Sequence, residues 1–358
     1  MKDILVDERF RVEYKIGEGG FGLVYAGTDL KTEEEVAIKL SHVRDDGLEA
    51  LEYEADTYKA LAGGVGIPRV IWFGRECDYH VLVQELLGPS LEDVFNYCGR
   101  KFSLKTVLLI ADQCIHRIKY IHDKGYLHCD VKPDNFLLGI GRQGNVIYTI
   151  DFGLAREFDE ESDGQGIRDH RPFGGTTRYA SINNHKQLPQ SRADDLESLG
   201  YVLLYFARGF LPWQGMKASN HDKRVEAILK LKTETPVEEL CKDLPEAFAE
   251  YMTYIRSLQP ADKPDYAHLL KVFKTLFTAR GFQYDNVYDW TEKRFYELLE
   301  ESKCAAEEQM GTEPTDEQMD TEHAEEQANT EPTDEQMDTE PTEEQVKTEP
   351  AEEQMDAE

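Results

Sequence analysis

The chain has 358 residues, 40% hydrophobic and 31% charged, enough for a large two-lobed domain with a segment to spare. Its net charge of −31 is unevenly spread: residues 305–358 hold 21 of the 71 acidic side chains and, of the basic ones, only Lys347. This balance excludes a general nucleic-acid binder, which needs a basic surface, and no apolar run is long enough to span a bilayer.

Residues from about 10 to 84 read as short strands and one helix. "FRVEYKIG", "GLVYAGTD" and "EEVAIKL" are rich in β-formers and are separated by glycine or charged turns. Gly17, Gly19 and Gly22 form GxGxxG, a spacing that lets backbone approach phosphates. A dinucleotide site would continue into a helix, whereas strands continue here, so the pattern favours a β-hairpin lid over ATP phosphates rather than that site or a plain surface turn. Val36-Ala37-Ile38-Lys39 sets a lysine at a strand end, where its ammonium can neutralise phosphate oxygens. The helix "GLEALEYEADTYKALAGG" has Leu48, Leu51, Ala55, Tyr58 and Leu61 at helical spacing and offers Glu54, in preference to Glu52, as partner to Lys39. "VIWFG" and "YHVLVQELLG" read as two further strands.

From Ser90 the pattern turns helical, first in "SLKTVLLIADQCIHRIKYIHDKG" with its stop at Gly125. Next comes "LHCDVKPDN", in which Asp130 and Asn135 stand five apart with Lys132 between them. One carboxylate can orient a hydroxyl, the amide can reach a metal ion and the lysine can neutralise a moving phosphoryl group. After a hairpin over "FLLGIGRQGNVIYTI", Asp151-Phe152-Gly153 places a carboxylate suited to Mg²⁺ on a hinge. Further helices are expected at "DDLESLGYVLLYFARG", "DKRVEAILKLK", "EELCKDLPEAFAEYMTYIRSL", "YAHLLKVFKTLFTARG" and "WTEKRFYELLEESKCAAEE".

Five nonapeptides begin at Thr312, Thr321, Thr330, Thr339 and Thr348 and fill 312–356. Each is acidic and offers too little apolar surface to bury, so residues 305–358 are expected to be a disordered tail rather than a solenoid. The expected divisions are 1–87, 88–304 and 305–358, with an α+β fold of a small β-rich lobe followed by a large helical one. Cys77, Cys98, Cys114, Cys129, Cys241 and Cys304 show no metal-ligand spacing, and the charged N-terminus lacks an apolar signal segment. An intracellular setting is therefore expected, cytoplasmic with nuclear entry open.

The motifs in this order resemble those of eukaryotic protein kinases. The stretch Thr177-Arg178-Tyr179-Ala180-Ser181-Ile182-Asn183, with "SRADDLESLGYVLLYFARGFLPWQG" and "DKPDYAHLL", is similar to the casein kinase 1 family in particular. The resemblance covers about residues 10–296. It implies a serine/threonine kinase using ATP and Mg²⁺, with Ile16 and Val24 flanking adenine and the hinge Glu85-Leu86-Leu87 binding it. It further implies Asp130 as catalytic base, Asn135 and Asp151 as metal ligands, and Asp195 bonded to the catalytic-loop backbone. Gln84 guards the back pocket where that family usually has an apolar residue.

Substrates are implied to carry acidic or phosphorylated residues near the acceptor, met by Arg171, Arg178, Lys223 and Arg224. "REFDEESDGQGIRDH" is acidic where relatives are more basic, which opposes that preference. The chain's own tail is a candidate intramolecular inhibitor. Cys129 replaces an arginine that in many kinases receives an activation-loop phosphate, so loop phosphorylation is not expected to switch the chain. The competing expectations are a pseudokinase or a scaffold acting through its acidic tail, although Lys39, Asp130 and Asp151 are all present.

Overall fold

The computed structural model describes residues 4–19, 22–43, 48–158 and 176–310. Its first part is one antiparallel sheet of β1 (Ile4–Val6), β2 (Phe10–Gly19), β3 (Gly22–Asp29), β4 (Glu35–His42), β5 (Val70–Glu76) and β6 (Tyr79–Glu85), in the order β1-β2-β3-β4-β6-β5. Side chains of a strand alternate between its faces. In β4, Val36 and Ile38 therefore enter a small core with Val6, Phe10, Val81 and Val83, while Ala37 and Lys39 line a cleft on the opposite face. A buried carboxylate, Asp29, ties β3 to the β1–β2 turn through Arg9, with bonds of 2.8 and 2.5 Å.

Helix α1 (Leu48–Ala60) buries Leu51, Ala55 and Tyr58, with Leu61 just beyond, in the larger core of the molecule. Tyr58 meets Phe152 edge-on at 4.9 Å, so this helix is packed against the Asp151-Phe152-Gly153 motif. The chain then leaves β6 for α2 (Leu91–Tyr97), started by a capping box between Ser90 and Asp93. α3 (Leu104–Asp123) begins at the cap Ser103 and carries a fully buried stripe that includes Val107, Ile110, Cys114, Ile118 and Ile121. Gly125 at φ 81° turns the chain out of it.

Two short ladders position the loops that follow: β7 (Tyr126–Leu127) pairs with β10 (Arg156–Glu157), and β8 (Phe136–Leu138) with β9 (Ile147–Thr149). The remaining helices are α4 (Ile182–His185), α5 (Arg192–Arg208), α6 (His221–Glu234), α7 (Val237–Leu240), α8 (Glu246–Ser257), α9 (Tyr266–Ala279) and α10 (Asp289–Met310). The single helix expected over 238–258 is two, α7 and α8. Pro245, with no N–H to donate, fits the N-cap of α8 and not a helix interior. The fold is α+β, with a curled sheet lobe and a helical lobe. The repeats at 312–356 lie outside the described residues.

Phe95 of α2 joins Phe102, Tyr205 and Phe206 at centroid distances of 4.8–5.1 Å. Segment 285–289 is fastened to α3: Asp289 accepts from Ser103 N–H (2.5 Å) and Oγ (2.7 Å), its own N–H donates to Thr106 Oγ1, and Lys105 pairs with Asp285. Phe95→Ala should cost about 3–5 kcal/mol in urea unfolding, whereas Phe295→Ala, on the exposed face of α10, should cost no more than about 0.5 kcal/mol.

Candidate active site

A cleft of about 570 Å³ lies against β2, β3, β4 and α1 on one side and the loops around β8 and β9 on the other. Its lining includes Ile16, Gly17, Gly22, Val24, Lys39, Glu54, Gln84, Glu85, Leu86, Leu87, Asn135 and Asp151. The glycine motif forms the end of the β2–β3 hairpin, which is paired as far as Gly19 and Gly22. At Gly22, with φ 127°, a Cβ would lie 2.0 Å from the Leu40 carbonyl oxygen, so no side chain fits there.

Lys39 is the charged centre of the cleft. Its Nζ lies 2.7 Å from Glu54 Oε2 and 3.2 Å from Asp151 Oδ1, and thus joins β4, α1 and the loop after β9. Burial opposes the ammonium, but the two carboxylates outweigh it and hold the Lys39 pKa above its ordinary value. Burial likewise pushes the Glu54 carboxyl up, with Lys39 pulling it back. Asp151 resists burial through Lys39 and Lys132 and stays below the usual range. Glu52 is exposed on α1. Removing one partner of so buried a pair costs about 3–5 kcal/mol, against 0–1 kcal/mol at a surface.

Asp130 is oriented from every side. Its Oδ2 accepts from Lys132 Nζ at 2.7 Å and from Asn135 Nδ2 at 3.3 Å, and its Oδ1 accepts the Thr176 N–H at 3.0 Å. Asn135 also donates to the Asp130 carbonyl at 2.9 Å, so its amide nitrogen is committed and its oxygen is the end suited to a cation. Burial works against the Lys132 ammonium, yet Asp130 raises its pKa above the ordinary value, so the lysine stays charged.

The loop that carries Asp130 is held by Asp195 of α5. One carboxylate oxygen accepts the His128 N–H at 2.7 Å and the other the Cys129 N–H at 2.9 Å, and His122 lies 2.9 Å from the first. Burial would raise the Asp195 pKa, but these donors, His122 foremost, hold it down. They also support Cys129 at φ 64°, a left-handed conformation that costs a non-glycine residue about 1–3 kcal/mol. Asp151 is left-handed too, at φ 64°, and its N–H donates to the Tyr58 hydroxyl at 3.0 Å. The Cys129 thiol is buried and its pKa is pushed well up, so it is no reactive thiolate.

The four basic residues expected to bind an anion are not all on view. Arg171 lies outside the described residues, as does most of the acidic stretch after the Asp151 motif. Arg178 lies in the segment before α4, its guanidinium over the Tyr179 ring, while Lys223 and Arg224 stand in the first turn of α6. Gln84 points a buried Oε1 that has no partner among the described residues. Sequence reasoning missed Tyr58, Thr176 and Lys232. Only Lys232 left a readable signal, as a lysine four residues after Ile228 on the buried stripe of α6.

The protein kinase domain model matches residues 10–272, well over half of the chain. The chain belongs to the protein kinase family. Such a kinase moves a phosphoryl group from ATP to a protein hydroxyl with the aid of a divalent cation. The donor set fits that cation: a carboxylate on Asp151 and an amide oxygen on Asn135 are hard oxygen donors of the kind such an ion takes. Among the described residues no group of three or more His, Cys, Asp or Glu could hold a metal unaided. None of their helices is long and apolar enough to cross a membrane.

The kinase's acid sensitivity should report Asp195. A carboxyl with a lowered folded pKa stabilises the fold above its unfolded value, near 3.8, and that contribution is lost as pH falls through the folded pKa. Urea midpoints measured from pH 6 to 3 should therefore drop more steeply for the wild type than for Asp195→Asn. Parallel curves would rule the linkage out.

Proposed function

We propose that this kinase phosphorylates serine and threonine hydroxyls, that it is a casein kinase 1-like enzyme, and that its cation is Mg²⁺. The observation that carries the reading is the oriented carboxylate of Asp130, next to Lys132 and Asn135 and beside the Lys39–Glu54–Asp151 cluster. In this reading Asp130 takes up the proton of the acceptor hydroxyl as oxygen attacks phosphorus. Lys132 offsets the charge on the transferring group, and Lys39 holds the phosphates behind it. Asn135 and Asp151 would hold the ion, whose chemistry is to neutralise phosphate charge. Gly17, Gly19 and Gly22 cover the phosphates, and Ile16 and Val24 enclose adenine. The adenine edge would meet the Glu85 carbonyl and Leu87, since the Glu85 N–H donates to the Arg69 carbonyl.

The subfamily reading is supported by Ser181-Ile182-Asn183 and by the basic residues at 171, 178, 223 and 224. Cys129 in place of arginine removes a receptor for an activating phosphate, which supports activity without loop phosphorylation. Transfer from ATP and Mg²⁺ to casein should proceed with phosphatase-treated enzyme and fall by about 10²–10⁴-fold in Asp130→Asn. Equal rates for the two proteins would instead favour a scaffold.

Acidic or phospho-primed peptides should be better substrates than neutral ones, and the tail, with its threonines beside carboxylates, should compete with them at high effective concentration. Removing residues 305–358 should then lower the KM for an acidic peptide, and the loss of this difference at high salt would fit an electrostatic contact. Unchanged kcat and KM on removal would sink tail inhibition.

A further inference from the structure

Lys232 is fully buried, an uncommon place for a lysine, and α6 delivers it beneath the segment that runs from Thr176 to Ile182. Its Nζ donates to the Thr177 carbonyl at 3.0 Å and the Ala180 carbonyl at 2.6 Å, and lies 3.2 Å from His185 Nε2. The rings of Tyr201 and Trp213 face it at 4.8 and 4.9 Å. Two carbonyls thus accept from Nζ, while His185 Nε2, itself 3.2 Å from the Thr177 carbonyl, and two aromatic faces close around it. Burial pushes the lysine pKa well down.

Neighbouring side chains extend the pattern. Trp213 Nε1 donates to the Arg178 carbonyl at 2.7 Å, and Glu197 Oε2 accepts the Ile182 N–H at 3.2 Å. Carbonyls 177, 178 and 180 and amide 182 are therefore all held by side chains of the helical lobe. The same segment begins with Thr176, whose N–H meets Asp130. Its position is coupled to the catalytic carboxylate at one end and to α6, which bears Lys223 and Arg224, at the other.

Stability alone does not call for this lysine. Burying an ammonium is costly, and apolar groups of similar volume often replace buried charges without loss. What an apolar side chain could not do is hold two carbonyls three residues apart in fixed places.

We propose that Lys232 is a positioning residue for substrate: it fixes the 177–180 backbone so that this segment, with Arg178, receives the peptide around the acceptor. The assignment of that segment to peptide binding rests on the proposed function; the fixing of its backbone does not. Lys232→Met keeps an unbranched chain and removes the donors. It should raise the KM for an acidic peptide about tenfold while kcat and the KM for ATP stay within about twofold. Amide hydrogen exchange at Tyr179, Ala180 and Ile182, all hydrogen-bonded in the wild type, should accelerate while that of α5 is unchanged. Lys232→Gln, with one donor group left, should fall between.

Should Lys232→Met fail to fold, Trp213→Phe supplies the second test, because it deletes the bond to the Arg178 carbonyl while leaving a smaller ring beside Lys232 and Tyr201. It should shift peptide KM in the same direction by a smaller factor. Unchanged exchange in the segment would overturn the proposal, as would a rise in the KM for ATP equal to that for peptide. A wild-type enzyme inactive on the peptide would overturn the substrate reading, while the exchange measurement would still judge Lys232.

Discussion

The carboxylate of Asp195 is buried in α5, yet it is satisfied at both oxygens by the backbone of a loop from a different part of the chain. An unpaired charge there would be intolerable, so loop and helix can only fold together. The consequence is local as well as global. Holding the N–H groups of His128 and Cys129 selects the left-handed turn at Cys129, and that turn aims Asp130 at Lys132, Asn135 and Thr176. His122, on α3, shares the same carboxylate and donates or accepts at Tyr266 of α9 with its other nitrogen, which brings three helices onto one anchor.

The cleft is organised by a different kind of constraint. Lys39 must satisfy two acids that come from separate elements, and each acid is held by more than the lysine. Glu54 is placed by the buried face of α1, and Asp151 by the Tyr58 hydroxyl from that same helix. A shift of α1 would therefore move Glu54 and Tyr58 together and disturb both contacts of the ion cluster. The helix couples the small sheet to the loop that carries Asp151 and Phe152 through packing and hydrogen bonds at once.

Much of this was legible in the sequence because the chemistry needs particular residues at short range. The glycines at 17, 19 and 22, the lysine at a strand end, and the acid and amide five apart are local patterns, and their strand and loop settings follow from periodicity. The stripe Leu51, Ala55, Tyr58 predicted the buried face of α1, which in turn singled out Glu54 over Glu52. The short strands β1, β7 and β10 could not be read, since so few residues show no period, whereas β8 and β9, equally short, were marked by the glycine turn between them. The roles of Thr176, Tyr58 and Lys232 depend on groups 46, 93 and 55 residues away. Pro245 was visible but was read as part of a long apolar pattern, and its missing N–H decided otherwise.

The contacts made by Asp289 also bear on where this molecule can be cut. The family match stops at 272, inside α9, yet the first turn of α3 takes its capping partner from residue 289 and an ion-pair partner from 285. Trp290 lies flat on Tyr288 and against Phe102, which closes one edge of the aromatic cluster around Phe95. A chain shortened to the recognised segment would leave the longest buried helix of the domain without its lid and expose that cluster to water. The unit that folds is longer than the unit that defines the family.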